Sequence, residues 1–186
     1  MSPEPSWRKE GKLRMFGFRK KVDPNSLVNG DFGMTVAGSM KDLVDHFSKL
    51  EGWEDAGYDM HELYWMVGFL AKVVLERNRR SIKQDDSTAY VVGLGISTRL
   101  LQWDFGESFD NDTLNWGIEM YRVRVDEYGT SMIDRARGIN PEHFARLFFD
   151  NIQSNEIKIT SGFGNHSRNF DNVVEKIISK YEDVIL

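Results

Sequence analysis

The sequence predicts an all-α protein: a single compact domain of about six helices around a central buried helix near residues 60–79, preceded by a basic, irregular N-terminal arm. Three observations predict this. The stretch 60–79 carries apolar residues on nearly every face, as a helix at the centre of a core does. Leu114, Ile118, Tyr121, Val125, Tyr128 and Met132 follow one another at spacings of 4, 3, 4, 3 and 4, a helical seam. The chain of 186 residues is 40% hydrophobic and 28% charged, the composition of a soluble globular domain large enough for one core.

The elements follow in chain order. Residues 1–38 are read as the arm and a turn region, distinct from a helical domain over 39–186. Pro3, Pro5 and Pro24 punctuate them, and Asn29-Gly30-Asp31-Phe32-Gly33 is turn chemistry that would suit a short hairpin. Ser39 is placed as an N-cap, followed by Met40, Leu43, Val44 and Phe47 on one stripe. Asp59 with Glu62 three residues later resembles a capping box opening the central helix, where Leu63, Val67, Leu70 and Val74 share a face.

Residues 87–102 fit a buried strand or a helix. A helix is preferred, because Ser87 can cap it and Val91, Leu94, Thr98 and Leu101 share a face. Gly93 and Gly95 lower its helix propensity and permit close helix–helix approach. The seam helix spans about 111–136, with Arg122 and Asp126 as an i, i+4 ion pair, and Gly138 ends it. Asn140-Pro141 opens a short helix carrying Phe144, Leu147 and Phe148. A last helix, about 170–184, buries Phe170, Val173, Ile177 and Tyr181.

Composition removes several chemistries. There is no cysteine, hence no disulfide, thiolate nucleophile or cysteine-ligated metal, which suits a reducing compartment. The longest apolar run, Tyr64 to Ala71, falls well short of the roughly 18 residues a membrane helix needs. No apolar stretch of a signal peptide follows the basic N-terminus, so the expected location is cytoplasmic. Charge is unevenly placed. Residues 1–21 carry Arg8, Lys9, Lys12, Arg14, Arg19, Lys20 and Lys21 against two glutamates, a net of +5, and the rest of the chain has a net of −10. An acidic body disfavours general nucleic-acid binding.

No catalytic or metal motif survives scrutiny. His46 follows Asp42 by four residues, but the pair falls opposite the apolar stripe and is read as exposed. His61 and His143 occupy first turns, where polar residues are ordinary. No His-Glu-x-x-His or Glu-x-x-His pair is present. Gly93-Leu-Gly95 lacks the third glycine of a dinucleotide fingerprint. Asp110-Asn-Asp112 starts like a calcium loop, but Leu114 stands at its fifth position. No metal and no cofactor is expected.

Two stretches remain. The connection 103–116 concentrates Trp103, Asp104, Phe105, Glu107, Phe109, Asp110, Asp112 and Trp116, aromatics suited to anchoring and acids suited to a basic partner. Its bland reading is that Trp103, Phe109 and Trp116 plug the end of the bundle. The segment 153–168 lacks a helical period, and its Phe163, His166 and Arg168 beside two glycines form a secondary candidate loop. The arm interleaves its cations with Trp7, Met15, Phe16 and Phe18, which suits an anionic membrane or a phosphate backbone, although Gly11 and Gly17 interrupt any amphipathic helix. It is expected to be solvated, with folding back onto the acidic body as an alternative and Met15 as an alternative start.

The preferred functional reading is therefore a non-enzymatic protein-binding domain of an inhibitor, immunity or adaptor type, docking a partner with a basic surface. A second reading is an enzyme whose site is assembled from His61, Glu62, His166 and Arg168. A third is a membrane- or nucleic-acid-associated factor acting through residues 7–21.

Overall fold

A computed structural model describes residues 23–49, 58–82, 87–139, 143–153 and 163–185, and every element among them is helical. The basic arm lies outside the described residues. The helical domain begins earlier than expected. Asp23 caps α1 (Pro24–Asn29) by accepting from the Asn25 amide at 3.3 Å, with Pro24 at the first helical position. Gly30 then breaks the chain in extended conformation, and α2 (Asp31–Gly38) follows. Asn29-Gly30 is thus a helix-to-helix joint, not a hairpin turn. A side chain on Gly33 would strike the Val28 carbonyl, so glycine sets how closely α2 folds back on α1.

Ser39 does not cap α3 (Met40–Phe47) through its side chain. Its hydroxyl donates to the Val36 carbonyl at 2.7 Å and is hydrogen-bonded to the Tyr181 hydroxyl, tying the first helices to the last. Burial pushes the Tyr181 phenol well above its ordinary range. Asp42 pairs with Lys180, and His46 packs half-buried against Phe47 and Phe170, so the expected Asp42–His46 pair does not form as such.

The central helix is α4 (Met60–Arg77), buried from Glu62 to Leu75 except at Lys72. Asp59 caps it by accepting from the His61 amide at 2.9 Å, and Leu63, Val67, Leu70 and Val74 are fully buried. A short α5 (Arg79–Ile82) follows. Residues 88–105 are helical as preferred, forming α6 (Thr88–Phe105). Its buried face matches the expected one only in part. Leu101 is buried as expected and Leu94 and Thr98 are partly so, but Val91 is exposed, and Val92, Gly93, Ile96, Ser97 and Leu100 form the rest of the buried face.

The reason is a backbone-to-backbone crossing. Ser97 donates to the Tyr64 carbonyl at 2.8 Å, Gly93 meets Gly68, and Asp104 reaches His61, so α4 and α6 run antiparallel. Tyr121 of α7 (Asn111–Ala136) closes the same point, donating to the Gly68 carbonyl at 3.3 Å. A Cβ on Gly93 would lie 2.1 Å from the Tyr121 hydroxyl and 2.5 Å from the Gly68 carbonyl oxygen. Two helix backbones cannot rotate out of such a clash. Gly93→Ala is expected to lose about 1–3 kcal/mol, outweighing alanine's better helix propensity. A urea midpoint equal to that of the parent chain would contradict the close crossing.

On α7, Gly117, Tyr121, Tyr128 and Ser131 are buried, with Val125 and Met132 partly so, while Ile118 is exposed. Arg122 pairs with Glu119 through its Nε at 3.1 Å, in place of the expected Asp126. Gly138 ends the helix at φ 74°, with the Ile139 amide donating back to Asp134 at 2.8 Å. Phe144, Phe148, Phe149 and Ile152 of α8 (His143–Ile152) then enter the core. α9 (Phe163–Ile185) packs on α2, α3, α4 and α8, burying Phe170, Val174, Ile177, Ile178 and Tyr181. It begins seven residues before its expected start, so residues 163–168 belong to a helix and not to a loop.

Candidate functional site

The turn between α6 and α7 forms one end of the bundle. Gly106, at φ 55°, ends α6, and a 3₁₀ turn over Gly106–Ser108 leads to Asp110. Asp110 caps α7 by accepting from the amide and the hydroxyl of Thr113, both at 2.8 Å. These bonds favour the ionised carboxylate and lower its pKa. Glu107 and Asp112 are exposed beside it.

The expected site residues divide between two faces. Asp104, Phe105 and Trp116 converge on His61 of α4. The His61 Nδ1 lies 3.0 Å from Asp59 Oδ1, and its Nε2 lies 3.1 Å from Asp104 Oδ2. Phe105 stacks on the imidazole with centroids 5.6 Å apart, and Trp116 meets it edge-on at 5.3 Å. Burial, and after it the nearby Asp104 carboxylate charge, pushes the Tyr64 phenol up to about 12.

Trp103 and Phe109 face the other way, towards α1. The Arg99 guanidinium sits 5.3 Å over the Trp103 ring and is also bonded to the Asn29 side chain. The bundle-plug reading fails for the tryptophans. Trp103 is 55% exposed and Trp116 40%, the latter resting edge-on against buried Trp65. Phe105 and Phe109 are half-buried and packed on the core, so they support the surface more than they present it.

Of the residues in the alternative enzyme reading, His61 and Glu62 are both engaged by other side chains. His61 has a carboxylate on each nitrogen. Glu62, its neighbour in sequence, points into the core, where Arg124 Nε donates to both its oxygens at 3.0 and 2.8 Å and Tyr128 donates to one. Arg124 also donates to Glu127 at 2.8 Å, and Asn151 donates to the Tyr128 hydroxyl at 3.4 Å. Burial raises the Glu62 pKa, a desolvation effect that outweighs the opposing pull of Tyr128 and Arg124. His166 and Arg168, with Phe163, lie in the first turns of α9, and their side chains fall outside the described residues.

Sequence reasoning missed Asp59 and Tyr64 as partners in the His61 cluster, and Arg124 as the partner of Glu62. Arg124 was detectable: it stands between Tyr121 and Tyr128 on the buried side of α7, where a charge needs a counter-charge. Nothing local marks the His61–Asp104 pairing, which joins residues 43 positions apart.

Among the described residues, no group of three or more His, Asp or Glu is arranged to hold a metal ion. At His61 the two carboxylates oppose ring nitrogens that point apart, so they share no coordination point. No helix among these residues is long and apolar enough to cross a membrane. Compared with known proteins, the chain matches no family model, no curated protein and no solved structure.

Proposed function

We propose that this protein is a non-enzymatic binding domain, of an inhibitor, immunity or adaptor type, which docks a basic partner protein in a reducing, cytoplasmic setting. The observation that carries the proposal is the exposure of Trp103 and Trp116 on the two faces of the α6–α7 turn, which also carries Asp104, Glu107, Asp110 and Asp112. Tryptophan is the residue type most enriched among binding anchors, and here the helix ends hold it in place before any partner arrives. The carboxylates supply a local negative field that steers a basic surface towards it.

The test compares the parent chain with Trp103→Ala and Trp116→Ala in a pull-down from native lysate, with each captured protein then titrated in pure form. A basic partner bound by the parent chain should bind the double variant at least about tenfold more weakly. Trp103→Ala alone should cost less than about 1 kcal/mol of stability, and so lower Tm by no more than about 4 °C. Equal binding by parent and double variant would remove this surface from the function.

A further inference from the structure

Two shallow grooves run along α6 beside α1. One is floored by Val28, Ile96 and Leu100 and rimmed by Met34 and Trp103. The other is walled by Pro24, Val91, Phe109 and Leu114. Their rims expose apolar surface: Met34 is 63% accessible and Val91 49%. Arg99 lies in the wall between them, its guanidinium already held by Asn29 and Trp103.

We propose that these grooves are covered by the chain's own N-terminal segment, Met15 to Lys21 (MFGFRKK). Phe16 and Phe18 then lie against Val91, Phe109 and Leu114, with Arg19, Lys20 and Lys21 beside the carboxylates of the α6–α7 turn. Three observations support this occupant. First, Pro24 and Asn25 are themselves groove walls, so the segment is delivered to the mouth of the groove. Phe18 is five residues from Asp23, within about 17 Å along an extended chain. Such tethering gives an effective concentration of the order of millimolar, so a weak contact suffices. Second, the segment comes from a region of net charge +5 on a body of net charge −10. Third, its apolar residues are interrupted by Gly17, which disfavours an amphipathic helix and suits an extended peptide in a groove. The contact competes with a basic partner for the same carboxylates; that consequence rests on the proposed function, whereas the contact itself does not.

The absence of cysteine allows a clean test on the full-length chain. Leu13→Cys carries a nitroxide just outside the docking residues, and amide signals are compared before and after reduction of the label. At about 0.05 M salt, signals of Val91, Thr98, Gln102 and Leu114 should fall to about half or less, and recover at about 0.5 M. Those of α8, which packs on α4, α7 and α9, should be unaffected. Adding Phe16→Ser and Phe18→Ser should restore the α6 signals, which a merely tethered chain would not do. No broadening, or broadening that survives these substitutions, overturns the proposal. Broadening seen only when spin-labelled chains are mixed with isotope-labelled, label-free ones also overturns it, assigning the grooves to a second copy. None of these readouts requires the partner of the preceding subsection.

Discussion

Arg124→Met is expected to lose about 3–5 kcal/mol of stability at neutral pH, because it strands the Glu62 carboxylate in the core. The Glu62 side chain is 3% exposed and that of Arg124 15%, so water cannot replace the lost partner without opening the bundle. The pH dependence follows from the raised Glu62 pKa. Between the unfolded carboxylate pKa and the raised folded value, the native state holds the proton more tightly than the unfolded state does. Stability associated with this group is therefore fully present below the ordinary carboxylate range and lost as pH rises through the folded pKa. Removing Arg124 raises that pKa further. The loss measured by urea unfolding should be largest at neutral pH and shrink as pH falls towards the ordinary carboxylate range. Adding Glu62→Leu should recover much of it, since a well-packed apolar pair can replace a buried ion pair. A loss that is constant with pH would show that Glu62 is not the stranded group.

Phe170→Ala should cost about 3–5 kcal/mol, through lost burial and the cavity left behind. Phe170 is 1% exposed and joins three helices. Its ring stacks on Phe148 of α8 at 5.5 Å and 15°, tilts against Phe47 of α3 at 5.5 Å, and meets Phe144 at 5.7 Å. In a domain of this size each kcal/mol lowers Tm by about 2–4 °C, so thermal unfolding reads the effect directly. The contrast with Trp103→Ala is the informative part. Two aromatic truncations of similar size should differ severalfold in stability, because one ring fills the core and the other faces solvent. A Tm for Phe170→Ala within a few degrees of the parent would mean that α9 does not close the aromatic cluster.

The central helix was legible because its burial is carried by side chains whose hydrophobicity is visible: Leu63, Val67, Leu70 and Val74, with Trp65 and Phe69 on other faces. The face of α6 was legible only in part, because its contact with α4 is made by Gly93 and Ser97, which allow approach by what they lack. A hydrophobic stripe marks only part of such a face. α1 and α2 were hidden for another reason. They are short, and Pro24 and Asn29-Gly30 carry turn signals, so their helicity rests on packing against α6 and α9. The acidic–aromatic turn was recognised as a composition, but its division into a His61 face and an α1 face depends on the antiparallel run of α4 and α6. Likewise, Glu62 was read as half of a capping box, whereas the structure spends it on Arg124 and leaves Asp59 to cap alone.

The bond between Ser39 and Tyr181 sets a condition on how this protein is made. It joins residues 142 positions apart, and the rings of Phe32 and Tyr181 lie 5.9 Å from each other beside it. At translation rates of about 5–20 residues per second, the early helices emerge from the ribosome on the order of ten seconds before their last partner. Through that interval Phe32, Val36 and Leu43 are without the helix that covers them. Synthesis, and not the folding step that follows it, therefore determines how long this apolar surface stays open to chaperones and to neighbouring nascent chains.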